Sequence, residues 1–420
     1  MSKTNTIFIQ IASYRDPQLL PTLKDCIAKA KYPENLRFGI AWQHSEEDEW
    51  DTLDEYKDDS RFRIVDINYK DSQGACWARN QLQQKYEGEK YTLQLDSHHR
   101  FIQDWDVELI GMIKQLQKKG HKKPLLTSYI SSFDPDNDPQ GRVMEPWWMT
   151  FDRFIPEGAI FFLPATIPGW QDITEPIPAR FYSAHFCFTL GQFCTEVPHD
   201  PLYYFHGEEI SIAVRAYTWG YDLFHPHKVV CWHEYTRKGR TKQWDDDPEW
   251  VRRNDESHKR NRTLFGMDGL CSCGIDFGVY GFGKERTLKQ YEKYAGIQFR
   301  SRGVQQYTLD NNFAPNPIID DAVEYEKSFK SIFKHCIDIG FDQIPLNDYD
   351  VFAVAFEDEN GNEIHREDAM PDEIQRIKTD PDGYGKIWRT FNTNIRPRKW
   401  IVWPHSISQG WMERMEGQIA

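Results

Sequence analysis

The chain lacks the long apolar runs that mark membrane segments. Across its 420 residues, no stretch of about 18 apolar residues occurs, and a spanning helix needs roughly that length. The first residues, Met1 to Thr6, are polar and do not form a signal-peptide pattern. The sequence therefore predicts no transmembrane segment and a cytoplasmic location.

An excess of basic residues is also missing. The chain has 51 Lys and Arg against 65 Asp and Glu, which gives a net charge of -14. Binding to nucleic acid without sequence preference requires a basic surface. We therefore expect no nucleic acid among the partners.

Clustered cysteines and phosphate-binding glycine loops are absent from the sequence. Of the eight Cys, only Cys271 and Cys273 lie close together, and a C-x-C pair without a second pair is a poor zinc signature. No G-x-G-x-x-G follows the first apolar run, and no Walker-type loop occurs. These absences argue against dinucleotide oxidoreductases and P-loop enzymes.

Aromatic residues, in contrast, are abundant. The composition is 39% hydrophobic and 15% aromatic, with 15 Trp and 20 Tyr, which is typical of a folded globular protein. Two interpretations of the aromatic residues remain open. They fill a bulky core, or some of them form platforms on which sugar rings pack.

The first hundred residues alternate between strand-like and helix-like patterns. Apolar runs predict strands over 6–12, 36–42, 61–67 and 91–95, and helical spacing predicts helices over 19–30 and 74–86. This alternation predicts an α/β fold with a mainly parallel, Rossmann-like sheet, in which ligands bind at the carboxyl ends of the strands.

The middle of the chain is less regular. Residues 128–177 show no clear period, which favours a binding surface or a lid. Beyond them, the patterns predict strands over 181–193 and 223–232 and helices over 210–219 and 245–263.

A linker-like segment, 311–317, divides the chain in two. We predict a catalytic domain over 1–310 and a small β-rich accessory domain over 311–420. The second part is predicted to hold a short helix over 322–332, a hairpin around Asn360-Gly361, and strands over 387–391 and 399–403.

The run Tyr91-Thr-Leu-Gln-Leu-Asp96-Ser97-His98 carries the strongest chemical signal. Residues two apart in a strand face the same side, so Asp96 and His98 can converge on one point. An oxygen ligand beside a nitrogen ligand suits Mn²⁺ or Mg²⁺. Such a cation would hold the phosphates of a nucleotide.

A third ligand is available further along the chain. His233 follows the strand-like run 229–232 and can join the pair from a neighbouring strand. The alternative is a histidine that only packs beside Trp232. Spacing does not exclude other ligands, namely His99, His185, His206, His225 and His227.

Glu208 and Glu209 begin a predicted helix. Paired acids at this position complement the helix dipole. The functional interpretation is that one of them binds or deprotonates a substrate hydroxyl. Both interpretations remain open.

Arg79 and Asn80 end the segment GACWARN. An Arg here can pair with a phosphate or with Asp96, and Asn80 suits a base or a sugar. A surface salt bridge is the alternative for Arg79.

Four motifs together resemble a known family. They are GACWARN at 74–80, YTLQLDSHHRF at 91–101, FHGEEISIAVRAYTWGYDLF at 205–224 and VYGFGKERTLKQYEKYAGIQF at 279–299. In this order they resemble the GlcNAc-transferases related to the Skp1 hydroxyproline enzyme. More distantly, the D-x-H element and the later His resemble the polypeptide GalNAc-transferases. The resemblance covers about residues 6–305.

The resemblance implies a GT-A fold, a UDP-sugar donor and retention of the anomeric configuration. UDP-GlcNAc is the first candidate for the donor. By motif, Asp96, His98 and His233 match the metal ligands, and Glu208 or Glu209 matches an acid that faces the donor and acceptor sugars. Since many GT-A enzymes have Asp where this chain has His98, the preferred metal stays open.

The remaining residues of the predicted site contact the donor. The turn Ser13-Tyr14-Arg15 matches the nucleotide-binding end of the first strand. The full predicted donor set is Ser13, Tyr14, Arg15, Arg79, Asn80, Asp96 and Ser97.

The leading hypothesis is therefore a metal-dependent glycosyltransferase that acts on a hydroxyl of a protein or glycan acceptor. A non-catalytic carbohydrate-binding protein, and a zinc-dependent hydrolase that uses Asp96, His98 and His233, are the alternatives.

Overall fold

The fold is described from a computed structural model that covers residues 5–237, 239–270, 275–380 and 384–419. The segment with Cys271 and Cys273 lies outside these described residues. The helices are α1 Leu19–Lys29, α2 Ala75–Gln83, α3 Trp105–Lys118, α4 Phe193–Glu196, α5 Glu208–Thr218, α6 Gln243–Asp246, α7 Trp250–Phe265, α8 Leu288–Ala295, α9 Gln306–Leu309, α10 Ala322–Lys327 and α11 Pro371–Lys378.

The strands of the first three hundred residues are β1 Ile7–Tyr14, β2 Leu36–His44, β3 Phe62–Asn68, β4 Tyr91–Leu95, β5 His99–Phe101, β6 Pro124–Thr127, β7 Trp147–Phe154, β8 Ile160–Thr166, β9 Ile177–Pro178, β10 Phe186–Leu190, β11 Asp222–His225, β12 Cys231–His233 and β13 Ile297–Gln298. Those that follow are β14 Gly303–Gln305, β15 Phe329–Gly340, β16 Tyr349–Glu357, β17 Glu363–Arg366, β18 Tyr384–Thr393, β19 Lys399–Ser406, β20 Gly410–Trp411 and β21 Met415–Gln418.

The chain forms two compact units. The first contains residues 1–300 and 307–318, and the second contains 301–306 and 319–420. The boundary predicted at residue 310 falls within this interleaved stretch and stays a prediction.

The first unit is built on an eight-stranded sheet with the order β3-β2-β1-β4-β10-β6-β11-β9. The strands β1 to β4 run parallel, while β10 is inserted antiparallel beside β4. Ile11 pairs with Leu95, so the ends of β1 and β4 lie side by side. The predicted α/β fold class is confirmed by this topology.

The buried apolar strands explain why the sheet forms here. All five residues of β4 are buried, as expected for a strand covered on both faces. The helices α1 and α3 cover one face with residues such as Leu23, Trp105 and Ile113, each fully buried.

The predicted secondary structure needs three corrections. The run 223–232 is two strands rather than one, because the chain bends at His227 and Lys228 between β11 and β12. The irregular segment 128–177 contains the antiparallel hairpin β7–β8. The helix predicted over 322–332 ends at Lys327, and β15 begins at Phe329.

The second unit is rich in antiparallel strands. One sheet includes β14, β15 and β18, and a second sheet has the order β17-β16-β19-β20 with β21 also paired to β19. Its core contains Phe352, Val354 and Ile387. The β-rich character predicted for this part of the chain agrees with these sheets.

None of the helices in the described residues combines the length and the apolar character that crossing a membrane requires.

We expect Leu93→Ala to lower the free energy of unfolding of the first unit by about 2–5 kcal/mol, because it opens a cavity in a closely packed core. Leu93 is fully buried in β4. Urea titration checks this, with Leu163→Ala as the control because Leu163 is 51% exposed. Equal effects of the two substitutions would contradict the described packing.

Candidate active site

A cleft opens at the carboxyl end of the central strands. It is lined by side chains that follow β1, β2, β4 and β12, together with the start of α2 and the segment after β12. Its lining includes Tyr14, Asp16, Gln43, Gly74, Arg79, Asp96, Ser97, His98, Phe205, His233, Arg237, Arg240, Lys242 and Trp244. The fold thus brings together most, but not all, of the predicted site residues.

Asp96, His98 and His233 converge in this cleft. Their ligand atoms all lie within 4.8 Å of one another. The Asp96 Oδ2 atom is 3.8 Å from His98 Nε2 and 3.5 Å from His233 Nε2. A cation with ligand bonds of about 2.1 Å holds adjacent ligands roughly 3 Å apart, so these two separations are within an ångström of a metal-binding arrangement.

His233 reaches the cleft because β12 pairs with β5. Its partner in the register is His99, and its ring stacks on His185 with centroids 4.3 Å apart. Neither ring nitrogen of His233 has a hydrogen-bond partner in the described part of the chain. Burial and the nearby His185 hold the pKa of His233 well below its ordinary value. The ring is therefore neutral and offers a lone pair, as a metal ligand must.

Asp96 remains ionised although it lies deep in the cleft. Burial alone would raise its pKa, but the contact with His233 and the charge of Arg79 outweigh burial and hold the pKa well below the ordinary value. Arg79 Nη2 donates to Asp96 Oδ1 at 2.8 Å. The Oδ2 atom thus stays available on the side of the two histidines.

Arg79 reaches Asp96 from α2, which begins beside Gly74. Gly74 has a φ of +103°, and a Cβ atom there would lie 2.9 Å from the Tyr204 ring. Only glycine fits such a close approach in the left-handed region. The small residues of GACWARN therefore let α2 approach the cleft.

Glu208 and Glu209 begin α5 and lie behind Arg79 rather than in the cleft lining. Glu208 Oε1 is 4.0 Å from Arg79 Nη1. Both carboxylate oxygens of Glu209 accept hydrogen bonds, from Tyr129 Oη at 2.8 Å and from the Ala184 amide at 2.9 Å. Burial raises the pKa of both acids, and the charge of Glu209 raises that of Glu208 further.

The predicted donor residues separate into two groups. Tyr14, Arg79, Asp96 and Ser97 line the cleft, whereas Ser13, Arg15 and Asn80 do not.

The side chains outside the cleft have other partners. Arg15 is paired with Asp48 at 2.6 Å and with Asp246 at 3.0 Å. Asn80 donates to the His199 carbonyl at 2.8 Å, and Ser13 is fully buried.

Sequence reasoning missed Asp16, Gln43 and Arg240. Asp16 Oδ2 lies 2.7 Å from His98 Nδ1, and Arg240 Nη1 lies 3.2 Å from the same oxygen. Gln43, at the end of β2, is fixed by Ser72 at 2.6 Å. The position of Asp16 just after the first strand was the available signal, because the carboxyl ends of parallel strands share one edge.

The competing histidines serve other contacts. His99 Nδ1 bonds the Asp96 carbonyl at 3.0 Å, and His225 Nδ1 bonds the Thr127 carbonyl at 2.8 Å. His206 packs on Phe161. None of these three lines the cleft.

A family profile described as Glycosyltransferase (GlcNAc) matches residues 6–61 and 51–301, which is well over half of the chain. The chain belongs to this glycosyltransferase family. The predicted resemblance to a family of GlcNAc glycosyltransferases is thereby confirmed. A search among curated proteins gives no match.

Solved glycosyltransferase structures show weaker similarity. GalNAc-T7 with UDP, GalNAc and Mn²⁺ is 14% identical, with a TM-score of 0.43, over 68% of this chain and 54% of that one. TarS from S. aureus is 10% identical, with a TM-score of 0.38, over 98% of this chain and 77% of that one. The chain thus spans about half the length of the GalNAc-T7 structure.

We expect Glu208→Gln to flatten the pH dependence of stability. The unfolded chain releases this proton near pH 4.5, whereas the folded chain, with a raised pKa, holds it to higher pH. Above pH 4.5 the folded state therefore binds more protons, and its stability falls as the pH rises.

Removing one such acid should cut that fall by up to about 1.4 kcal/mol per pH unit. Urea titrations of both proteins at pH 5 and pH 7 measure the difference. Parallel pH profiles for the two proteins would show that Glu208 does not retain its proton.

Proposed function

We propose that the protein is a metal-dependent, retaining glycosyltransferase. It transfers a sugar from a UDP-sugar donor to a hydroxyl of a protein or glycan acceptor, and GlcNAc is the first candidate for that sugar. The observation that carries the proposal is the convergence of Asp96, His98 and His233 in the cleft of a GlcNAc-family fold. The cytoplasmic location stays a prediction.

The donor set fits a divalent cation such as Mn²⁺ or Mg²⁺. One ionised carboxylate and two imidazoles leave positions open for phosphate oxygens and water. The nitrogens of the buried His233 ring, which have no hydrogen-bond partner among the described residues, support this assignment, because buried polar atoms are normally hydrogen-bonded. When bound, the cation neutralises the diphosphate charge and stabilises the leaving group.

Basic side chains surround the place where a diphosphate would bind. Arg237, Arg240 and Lys242 follow β12 and line the cleft beside the three proposed ligands. Arg237 also stacks on Phe205 and Trp244, with its guanidinium 5.7 Å and 5.6 Å from the ring centroids. These residues supply positive charge and an aromatic wall at the mouth of the cleft.

Glu208 is the acid that we propose to influence the reaction, acting through Arg79 because it does not itself line the cleft. Retention requires either attack on the same face as the leaving group or a double displacement through a carboxylate. Glu209 holds the Tyr129 hydroxyl and the Ala184 amide, so both of its oxygens are occupied. Glu208 contacts Arg79, whose other end holds Asp96. Glu208 therefore contacts the cleft residue Arg79, whereas Glu209 is bound to Tyr129 and Ala184 outside the cleft.

We expect Asp96→Ala to abolish Mn²⁺-dependent turnover of UDP-GlcNAc, because it removes the only proposed carboxylate ligand. The assay follows UDP release with and without acceptor, after removal of metal by a chelator and after addition of Mn²⁺. Asp66→Ala is the control, since the Asp66 side chain is 67% exposed and does not line the cleft.

The outcomes separate the alternative functions. Near-normal turnover by the Asp96 variant would overturn the metal assignment. Glycan binding without turnover across a panel of UDP-sugars would favour a carbohydrate-binding protein. Hydrolysis supported by Zn²⁺ but not by Mn²⁺ would favour a zinc-dependent hydrolase, which uses the same ligand types.

Glu208→Gln and Glu209→Gln should differ in what they impair. We expect Glu208→Gln to lower kcat, because it changes the side chain that contacts Arg79 and, through Arg79, Asp96. Glu209→Gln should instead lower the melting temperature, because one of its two hydrogen bonds becomes unfavourable. Steady-state kinetics and thermal melting of both variants test this difference. A loss of kcat in Glu209→Gln and a lower melting temperature in Glu208→Gln would assign the role to Glu209.

A further inference from the structure

The carboxylate of Asp16 is fixed on all sides. Its Oδ2 atom accepts from Ser97 Oγ at 2.7 Å and pairs with His98 Nδ1 at 2.7 Å. Its Oδ1 atom accepts from the Gln18 amide at 2.8 Å. The Asp16 side chain is only 4% exposed. This carboxylate therefore has one orientation, and His98 is held by it.

The two nitrogens of the His98 ring face different groups. Nδ1 faces Asp16, while Nε2 lies 3.8 Å from Asp96 Oδ2, on the side of the proposed cation. A neutral imidazole carries its proton on one nitrogen and a lone pair on the other. If Nδ1 donates its proton to Asp16, Nε2 is free to bind a cation.

Arg240 favours the opposite position for the His98 ring proton. Its Nη1 atom contacts both His98 Nδ1 and Asp16 Oδ2, and its Nη2 atom is held by Glu234 at 2.7 Å. Arginine can only donate. A hydrogen bond from Arg240 to Nδ1 would place the ring proton on Nε2 and block binding there. Asp16 and Arg240 therefore favour opposite tautomers of His98.

Among the described residues, His233 has no comparable partner. It is held by ring packing against His185 and Tyr235, with both centroids 4.3 Å away. Of the two proposed histidine ligands, only His98 has a carboxylate on its second nitrogen. Metal-bound histidines commonly have such a partner, which fixes the tautomer and the ring orientation.

We propose that Asp16 is a positioning residue that keeps the proton of His98 on Nδ1 and so presents Nε2 to the divalent cation. This inference rests on the proposed metal-dependent function. Loss of such a partner typically weakens metal binding 10- to 100-fold.

Mn²⁺ titration followed by electron paramagnetic resonance tests the proposal, since free Mn²⁺ is measured directly and no turnover is needed. We expect Asp16→Asn to raise the dissociation constant about 10- to 100-fold. The amide can donate to Nδ1 and stabilise the wrong tautomer, as Asp→Asn does in the serine protease triad.

A double-mutant cycle shows whether Asp16 acts through His98. In a His98→Ala background, adding Asp16→Asn should change Mn²⁺ affinity by less than about twofold, because the ring that it positions is gone. An equal loss in both backgrounds would overturn the proposal.

Asp51→Asn is the matched control. Asp51 is also buried and follows the neighbouring strand β2, but it accepts a hydrogen bond from Trp42 Nε1 at 2.8 Å and does not line the cleft. We expect this variant to bind Mn²⁺ as the wild-type protein does. Equal affinities of the Asp16 and Asp51 variants would overturn the positioning role.

Arg240→Gln keeps the test decisive if Asp16→Asn does not fold. Removing the competing donor should raise Mn²⁺ affinity, and a tenfold loss would assign the positioning role to Arg240 instead. Failure of the proposed metal-dependent function would give a different result from failure of the Asp16 proposal. If wild-type protein binds no Mn²⁺, or Asp96→Asn binds it equally well, the metal site itself is wrong.

Discussion

The charge of the half-buried Asp96 carboxylate is the constraint on which the arrangement of the cleft depends. Its carboxylate is held by Arg79 from α2 at 2.8 Å and faces two imidazoles that arrive from the ends of β4 and β12. Removing one member of a buried charged group leaves the others uncompensated, at a cost of several kcal/mol. Three separate elements are therefore held at one edge of the sheet by the same carboxylate.

Two rows of ion-paired side chains, each with an arginine between two acids, lead to His98. Glu234, Arg240 and Asp16 form one, and Glu208, Arg79 and Asp96 form the other. Burial raises the pKa of Glu208, so the second row carries less negative charge than its two acids suggest. The negative charge that remains concentrates at Asp96, next to the rings of His98 and His233. This distribution favours a divalent cation at that point and a nucleotide diphosphate beside the basic side chains.

The sequence predicted the parts of this site that depend on local pattern. The buried strand before Asp96 and the parallel α/β rhythm were visible as apolar runs, so the sheet edge and the Asp96–His98 pair could be located. The role of Asp16 depends on its contacts with His98 and Arg240, which lie 82 and 224 residues further along the chain. No local period reports such contacts. The pairing of Arg15 was not visible for the same reason, since its carboxylate partners Asp48 and Asp246 come from distant segments.

The most direct test of the account is a crystal structure of the protein with Mn²⁺ and UDP, with anomalous scattering used to locate the metal. The account predicts one anomalous peak bound by Asp96, by the Nε2 atoms of His98 and His233, and by phosphate oxygens of UDP. UDP bound in the cleft with no metal at these three residues, or with a metal that His98 and His233 do not contact, would contradict it.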